Sequence, residues 1–186
     1  MTAVERLVVT WNAAVLVVCV AVGAAAWGTA AREGGLTRAQ AEETVRAHNA
    51  WRNRVSVPPL RWSADLAARA QARAEDLAAR GCAMEHGPLP ADVGENLFRA
   101  GPLHGSGRKD EFFSVTPTQV VDMWGEESAD YSREHDTCAW NRECGHYTQI
   151  VWRTTREVGC GMSVCQTLGQ VWVCNYRPRG NVRTRR

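Results

Sequence analysis

The sequence predicts an α+β domain that is held together by disulfides. Residues 37–55, 63–80 and 118–128 carry the hydrophobic spacing of amphipathic helices, and two strand-like stretches follow them. Six cysteines lie beyond the first 30 residues, an even number that is typical of the disulfide framework of a small exported domain. Helices combined with a small antiparallel sheet define the α+β class.

Length and composition fit one globular domain. The chain has 186 residues, of which 45% are hydrophobic and 23% charged, which excludes a wholly disordered chain, a collagen-like repeat and a multi-span membrane protein. Its 22 Lys and Arg residues nearly balance 20 Asp and Glu residues. The net charge of +2 is too small to indicate nucleic-acid binding. We expect a monomer that binds no nucleic acid.

Residues 1–30 have the features of an export signal peptide. Arg6 precedes the uncharged residues 13–26, and Ala30 ends a run of small residues that suits signal peptidase. The uncharged stretch extends over residues 12–31, which is about the 20 residues needed to span a bilayer. An uncleaved N-terminal anchor is therefore the alternative. In both cases we expect the rest of the chain to be extracellular, either secreted or held at the membrane.

The first two helices are predicted from their ends as well as from their spacing. After a polar spacer at residues 31–36, Thr37 and Gln40 match a capping box at the start of the first helix. Ser63 is the expected N-cap of a second, alanine-rich helix, and Gly81 lies just past its end. The domain is thus expected to begin at residue 37.

The middle of the chain is predicted to form a loop that is followed by two more helices. Residues 87–117 are rich in Gly and Pro, and we expect them to be mainly loop. Residues 118–128 predict the third helix, and residues 146–152 a short fourth one. The buried stripe of the third helix is expected to consist of Val120, Val121 and Trp124.

Residues 158–165 and 170–176 predict a β-hairpin. In that register Cys160 lies directly opposite Cys174, within the short Cα separation that a disulfide requires. This pairing keeps residues 171–173, the best strand residues, inside the strand.

The other four cysteines then pair by position. Cys138 and Cys144 bracket five residues and are expected to close a local loop, which leaves Cys82 to pair with Cys165. A structural zinc site built from cysteines is the rival interpretation, but the sequence contains no CxxC pair.

Four sequence segments occur in an order that points to a known family. They are HNAWR at residues 48–52, VGENL at 93–97, GHYTQIVW at 145–152 and CNYRPRGN at 174–181. Together they closely resemble the signatures of the CAP superfamily, which includes cysteine-rich secretory proteins, venom allergens and plant pathogenesis-related class 1 proteins. The resemblance covers roughly residues 40–181. It implies an α-β-α sandwich over residues 37–178, with a basic tail at 179–186, and it supports the disulfide pairing above.

The resemblance also implies a cleft that is lined by two His and two Glu, matched here by His86, Glu95, Glu127 and His146. Neutral imidazoles beside carboxylates suit a weakly bound zinc or another divalent ion. The same four groups are the candidates for a general acid and base. The remaining interpretation is a hydrogen-bonded polar cluster that fixes the cleft. No catalytic role is assigned, because the sequence identifies neither a nucleophile nor an oxyanion stabiliser.

The resemblance implies a binding function for the chain. Relatives bind sterols or fatty acids, and we expect a non-enzymatic lipid binder with a defence or host-interaction role. Phe112 and Phe113, within residues 101–115, are the candidate lipid contacts. The Arg-rich tail is expected to attract anionic membrane or cell-wall surfaces. The alternatives are a protease-like hydrolase that uses the His and Glu residues, and a precursor of a signalling peptide.

Other residues of the four motifs are expected to be structural. His48 and Asn49 should tie the first helix into the fold, and Tyr147 and Trp152 should be core aromatics. Asn96 is expected to hold a loop through side-chain bonds to the backbone.

Overall fold

A computed structural model of the chain describes residues 32–33, 35–101, 114–166 and 168–182. The predicted signal peptide, Phe112, Phe113 and the final Arg-rich residues 183–186 lie outside the described residues. Within the described ranges, no helix combines the length and the apolar character that crossing a membrane requires.

The helices agree closely with the sequence prediction. They are α1 (Arg38–Arg54), α2 (Ala64–Ala79), α3 (Pro117–Gly125) and α4 (Gly145–Ile150), and a 3-10 helix at Glu126–Asp130 continues α3. The predicted capping box is confirmed, because the side chain of Thr37 accepts from the Gln40 N–H and that of Gln40 accepts from the Thr37 N–H. Ser63 caps α2 as expected. A second capping box starts α3 at Thr116.

The strands of the described residues form one four-stranded sheet and two small hairpins. The strands are β1 (Arg32–Glu33), β2 (Leu36–Thr37), β3 (Arg61–Trp62), β4 (Gly94–Ala100), β5 (Tyr131–Ser132), β6 (Thr137–Cys138), β7 (Glu157–Val164) and β8 (Gln170–Arg177). The main sheet has the order β3-β7-β8-β4. The predicted hairpin is β7 and β8, with Cys160 opposite Cys174.

Three features differ from the sequence prediction. Residues 94–100 form strand β4 rather than loop, because they pair with β8 along their whole length. The sheet is mixed rather than purely antiparallel, because the short β3 runs parallel to β7. Leu36, which was assigned to the spacer, is buried in the larger core cluster.

The sheet lies between two layers of helices, which confirms the α-β-α sandwich. One face carries α1, α3 and α4, and its core contains the large aromatic side chains Trp51, Trp124, Tyr147, Trp172 and Tyr176. We call this side the aromatic face. The other face carries α2, and its core is built mostly from alanines and from the aliphatic residues Leu77, Leu97, Val171 and Val173. We call this side the α2 face.

Helix α2 lies unusually close to β7. A Cβ atom on Gly159 would lie 2.2 Å from the backbone nitrogen of Ala67, and one on Gly161 would lie 2.4 Å from the Cα of Gln71. The two glycines therefore allow the backbone of the helix to rest directly on the strand. This contact explains why the buried stripe of α2 is made mainly of alanines.

The three predicted disulfides are confirmed. Cys82 pairs with Cys165 and Cys138 with Cys144, each with a Cα separation of 5.8 Å. Cys160 pairs with Cys174 across β7 and β8, with a Cα separation of 4.1 Å. The first disulfide ties the end of α2 to the end of β7, so it fixes the α2 face.

Candidate functional site

The first His–Glu pair is formed by His86 and Glu95. His86 lies in the irregular segment that follows α2 and Cys82, and Glu95 is the second residue of β4. Nδ1 of His86 lies 2.9 Å from Oε1 of Glu95. The imidazole is 63% exposed, whereas the carboxylate side chain is only 1% exposed. An accessible ring is thus held by a buried carboxylate.

The second pair is formed by His146, in the first turn of α4, and Glu127, in the 3-10 helix after α3. Nδ1 of His146 lies 2.6 Å from Oε1 of Glu127. The other carboxylate oxygen, Oε2, accepts from the N–H groups of His146 and Tyr147 at 3.0 and 3.1 Å. Glu127 therefore satisfies the free N–H groups at the start of α4 and orients the ring at the same time. Trp124 stacks on this imidazole, with ring centroids 6.0 Å apart.

Strand β4 separates the two pairs. Glu95 lies opposite Asn175 of β8, and both side chains line a groove beside α2. The next residue, Asn96, points to the aromatic face, where its side-chain amide donates to the carbonyl of His146 at 3.1 Å. Successive residues of a strand point to opposite faces, so the two pairs lie on opposite sides of the strand.

The structure thus brings the four predicted residues together as two pairs. Among the described residues, no group of three or more His, Cys, Asp or Glu is placed to hold one metal ion. The assignment of a shared metal to His86, Glu95, Glu127 and His146 stays a prediction.

Each pair nevertheless has the arrangement of a single metal-binding histidine. A His that binds a metal commonly uses one ring nitrogen for the metal and the other for a carboxylate. Here Nδ1 of both rings contacts Glu, and no described residue forms a hydrogen bond to Nε2 of either ring. One nitrogen donor per pair is therefore available to a ligand.

Neither pair is accompanied by a nucleophile. Within the described ranges, no Ser, Thr or Cys side chain is hydrogen-bonded to the ring of His86 or His146. The six cysteines of the domain are all in disulfides. Among the described residues, neither ring is therefore paired with a serine or cysteine in the way that nucleophile–base catalysis requires.

His48 is structural, as predicted, and fully buried. The Thr44 carbonyl is 2.8 Å from Nδ1, and because a carbonyl only accepts, Nδ1 carries the proton. The hydroxyl of Tyr176 is 2.9 Å from Nε2 and donates to it in the neutral ring. Burial is the main cause that lowers the pKa of His48 to about 4, and the nearby charge of Arg52 lowers it further. Asn49 ties α1 to the chain by exchanging two hydrogen bonds with the backbone of Leu60.

Arg52 is a key residue that the sequence prediction did not single out. It is fully buried and donates to four backbone carbonyls, those of Pro58, Ile150, Trp152 and Thr155. Burial lowers its pKa to about 10. Arg52 holds the C-terminal end of α4 and thereby the position of the GHYTQIVW motif. Its place in the HNAWR motif was the available signal.

Gln149 connects two of the four motifs and was also not predicted. Its side-chain oxygen accepts from the Gly180 N–H at 2.9 Å, and its amide donates to the Thr155 hydroxyl at 3.4 Å. Gly94, at the start of β4, packs against the same side chain. The GHYTQIVW, VGENL and CNYRPRGN segments therefore meet around this one glutamine.

Comparison with known proteins places the chain in a family. The family model of cysteine-rich secretory proteins, CAP, matches residues 45–176. The chain belongs to the CAP family. The matched range spans α1 to β8 and contains both His–Glu pairs.

The relatives of this CAP protein include plant pathogenesis-related proteins. Pathogenesis-related protein 1A of Nicotiana tabacum is 41% identical over 142 residues, which cover 76% of this chain and 77% of the relative. Pathogenesis-related protein 1 of Arabidopsis thaliana is 38% identical over 140 residues, covering 75% and 77%. Peptidase inhibitor 16 of Mus musculus is 37% identical over 163 residues, but the match covers only 30% of that protein.

Solved structures share the fold. Venom allergen-like protein 4 of Schistosoma mansoni is 26% identical with a TM-score of 0.56, and the match covers 81% of this chain and 92% of that one. NaASP2, crystallised with Zn²⁺, is 20% identical with a TM-score of 0.61, and the match covers 81% and 85%.

Proposed function

We propose that this CAP protein acts outside the cytoplasm as a binder of a sterol or another lipid such as a fatty acid, in a defence or host-interaction role, and that it catalyses no reaction. The predicted export segment and the three disulfides support an extracellular location. The pathogenesis-related names of the plant relatives support the defence role.

One observation favours a binding function over a catalytic one. Glu127 holds the N–H groups at the start of α4 as well as the His146 ring, Glu95 holds the His86 ring, and neither ring is hydrogen-bonded to a nucleophile among the described residues. A hydrolase needs an activated nucleophile or water and a stabiliser of the developing oxyanion. The arrangement instead resembles a rigid scaffold that presents two accessible imidazoles.

The described residues on either side of the 101–115 segment in the sequence support a lipid contact at Phe112 and Phe113. This segment joins the end of β4 to the start of α3. On one side of it, Phe98 and Ala100 pack against the aromatic core, and on the other side Val115 is buried in the same core. Both phenylalanines are therefore close in sequence to the most apolar region of the domain, which suits an apolar ligand.

A lipid-uptake assay tests this proposal. The Phe112→Ala/Phe113→Ala variant and the wild-type protein are incubated with labelled sterol or fatty acid, and bound lipid is measured after gel filtration. We expect uptake to fall at least tenfold, because two large apolar contacts are removed and 1.4 kcal/mol corresponds to a factor of ten. His86→Ala/His146→Ala is the matched control and should keep full uptake. Uptake that is lost only in the His variant would contradict the proposal.

We further propose that the imidazoles bind a divalent metal ion weakly. The free Nε2 and the carboxylate at Nδ1 suit zinc, and NaASP2 was crystallised with that ion. If zinc binds, a chelator should lower the melting temperature of purified protein, because a ligand of the folded state stabilises it. His86→Ala and His146→Ala should be titrated with zinc separately, since the two pairs are separate. Zinc binding that is unchanged in both variants would contradict the assignment.

The Arg-rich tail is proposed to attract anionic membrane or cell-wall surfaces. Each basic residue near a charged membrane contributes roughly 1 kcal/mol. Deleting residues 183–186, which include three Arg, should reduce cosedimentation with phosphatidylserine vesicles. Association that survives both the deletion and high salt would contradict an electrostatic role for the tail.

A further inference from the structure

A groove of about 420 Å³ lies on the α2 face, next to the start of β4. Small and aliphatic side chains form much of its wall, namely Ala68, Ala72, Pro88 and Leu89. Two arginines, Arg69 and Arg73, and two aspartates, Asp65 and Asp76, line it as well. The groove lies on the opposite side of β4 from the His146–Glu127 pair.

Two buried acceptors in this groove lack donors. Oε2 of Glu95 and Oδ1 of Asn175 receive no hydrogen bond within the described part of the chain. The Glu95 side chain is 1% exposed and Asn175 is fully buried. Buried polar atoms without partners are costly and rare in folded proteins. The two residues are direct cross-strand neighbours, so their side chains start roughly 5 Å apart.

A buried donor in the same groove also lacks a partner. Arg73 uses Nη1 for Asp76 and Nη2 for the Glu85 carbonyl, but its Nε is bonded to no described residue. Among the described residues, the lining of the groove therefore includes two acceptors and one donor without hydrogen bonds, beside a short apolar stretch of α2. The ligand that matches this set must donate twice and accept once.

We propose that this groove binds a neutral ring with adjacent hydroxyl groups, as found in a monosaccharide unit of a glycan. Two neighbouring hydroxyls donate to Oε2 of Glu95 and Oδ1 of Asn175, and one of them accepts from Nε of Arg73. The C–H face of the ring packs on Ala68 and Ala72. An ammonium group only donates, so it leaves Nε of Arg73 without an acceptor. A single hydroxyl carries only one proton to donate, so it leaves one of the two oxygens without a donor.

The chemistry of the ligand is tested with three probes that share one ring. The full domain is labelled with ¹⁵N, and amide shifts are followed during titration with cis-1,2-cyclohexanediol, cyclohexanol or cyclohexylammonium. Methyl glucoside, galactoside and mannoside are titrated in parallel. We expect the diol and at least one glycoside to shift amides of α2 and β4, with the diol about tenfold tighter than cyclohexanol because it makes one more hydrogen bond. Equal binding of all three ring probes, or tighter binding of the ammonium, would overturn the proposal.

Two variants and a matched control locate the site. Ala72→Leu fills the groove from the exposed side of α2 and should abolish the shifts. Ala79→Leu, on the same helix but outside the groove, should leave them unchanged. Ala72→Leu and Ala79→Leu should both fold, because leucine is a strong helix former. Arg73→Lys keeps the charge, removes Nε and should weaken binding about tenfold. Glycoside binding that Ala72→Leu does not change would place the site elsewhere and overturn the assignment.

This site is independent of the proposed lipid function. Loss of sterol uptake in the Phe112→Ala/Phe113→Ala variant with unchanged glycoside binding would support both proposals. Glycoside binding that disappears in that variant, while Ala72→Leu still binds, would overturn the groove assignment alone.

Discussion

The two faces of the central sheet are held together in different ways. On the aromatic face, large side chains fill the core, and the buried polar groups His48 and Arg52 have hydrogen bonds at every ring or guanidinium nitrogen. On the α2 face, small residues let the helix rest on β7, while Glu95 and Asn175 each keep an oxygen without a hydrogen bond from any described residue. His48 and Arg52 are thus fully bonded, although Nε1 of Trp62, which packs against the same core, has no hydrogen bond among the described residues.

The disulfides of the two faces also differ, in the length of chain that each one closes. The Cys160–Cys174 disulfide, on the aromatic face, joins residues 14 apart in neighbouring strands. The Cys82–Cys165 disulfide, on the α2 face, joins residues 83 apart. A longer closed loop removes more freedom from the unfolded chain. The α2 face should therefore depend more on its disulfide and less on its hydrogen bonds.

Removing the long-range disulfide should have the largest effect. Cys82→Ala with Cys165→Ala is expected to lower the free energy of unfolding by about 4.5 kcal/mol, from the loss of loop-closure entropy. Cys138→Ala with Cys144→Ala, which opens a loop with a sequence separation of 6, should cost about 2 kcal/mol. Urea unfolding followed by tryptophan fluorescence measures both. Equal losses in the two variants would show that the long cross-link has no special role on the α2 face.

Arg52→Lys should be nearly as destabilising as the loss of the Cys82–Cys165 disulfide. A lysine keeps the positive charge but cannot reach four carbonyls, so several buried acceptors are left without donors and stability should fall by about 4 kcal/mol. Arg46→Lys, at an exposed position of the same helix, should change stability by less than about 0.5 kcal/mol. Chemical denaturation of both variants provides the comparison. A loss below about 1 kcal/mol for Arg52→Lys would mean that the carbonyl network adds little to the aromatic face.

His48 should make the aromatic face sensitive to acid. The folded state keeps the ring neutral because its pKa is lowered from 6.5 to about 4, whereas the unfolded ring takes up a proton below about pH 6.5. The unfolded state then binds more protons, so stability falls by about 3 kcal/mol as the pH decreases from 7 to 4.

The control for this effect is a second histidine. His48→Gln should lose this part of the pH dependence, and His135→Gln, at an exposed loop position, should keep it. Unfolding free energies are measured at several pH values for all three proteins. Parallel pH profiles of wild type and His48→Gln would contradict the burial argument.

Gly159→Ala tests the close contact on the α2 face. We expect it to lower the free energy of unfolding by about 2 kcal/mol, less than the loss for Arg52→Lys. The new methyl group meets the backbone of α2 rather than a flexible side chain, so the helix has to shift away from β7. Thermal unfolding measures the loss. Gly145→Ala is the control, because a Cβ there meets nothing within 4 Å. Equal melting temperatures of Gly159→Ala and Gly145→Ala would show that α2 has room to move.

The sequence predicted those parts of the fold that depend on neighbouring residues. The capping box of α1 and the Cys160–Cys174 register are local patterns, and both are confirmed. Strand β4 was missed because Gly94, Glu95 and Asn96 are polar or flexible residues with low strand propensity, and its pairing partner β8 lies about 75 residues away. Strand β3 has only two residues, and its parallel partner β7 is even more distant, since Arg61 pairs with Glu157.

The candidate site was predicted as four residues but not as two pairs. The family motifs supplied the four side chains, and each His contacts a Glu, while their role as a site stays a prediction. The separation of the pairs follows from β4, because Glu95 and Asn96 must point to opposite faces once the segment is a strand. The unpartnered oxygens of Glu95 and Asn175 depend on packing against α2, which no local pattern reveals.

The most direct test of the binding account is a native mass spectrum of the gently purified secreted protein, without added metal or lipid. We expect a chain that starts near residue 31, is six hydrogens lighter than the reduced form because of the three disulfides, and carries an additional mass of a lipid or a metal ion. A bare chain with the same disulfides, which also cleaves an ester or peptide substrate and loses that activity in His146→Ala, would contradict the account.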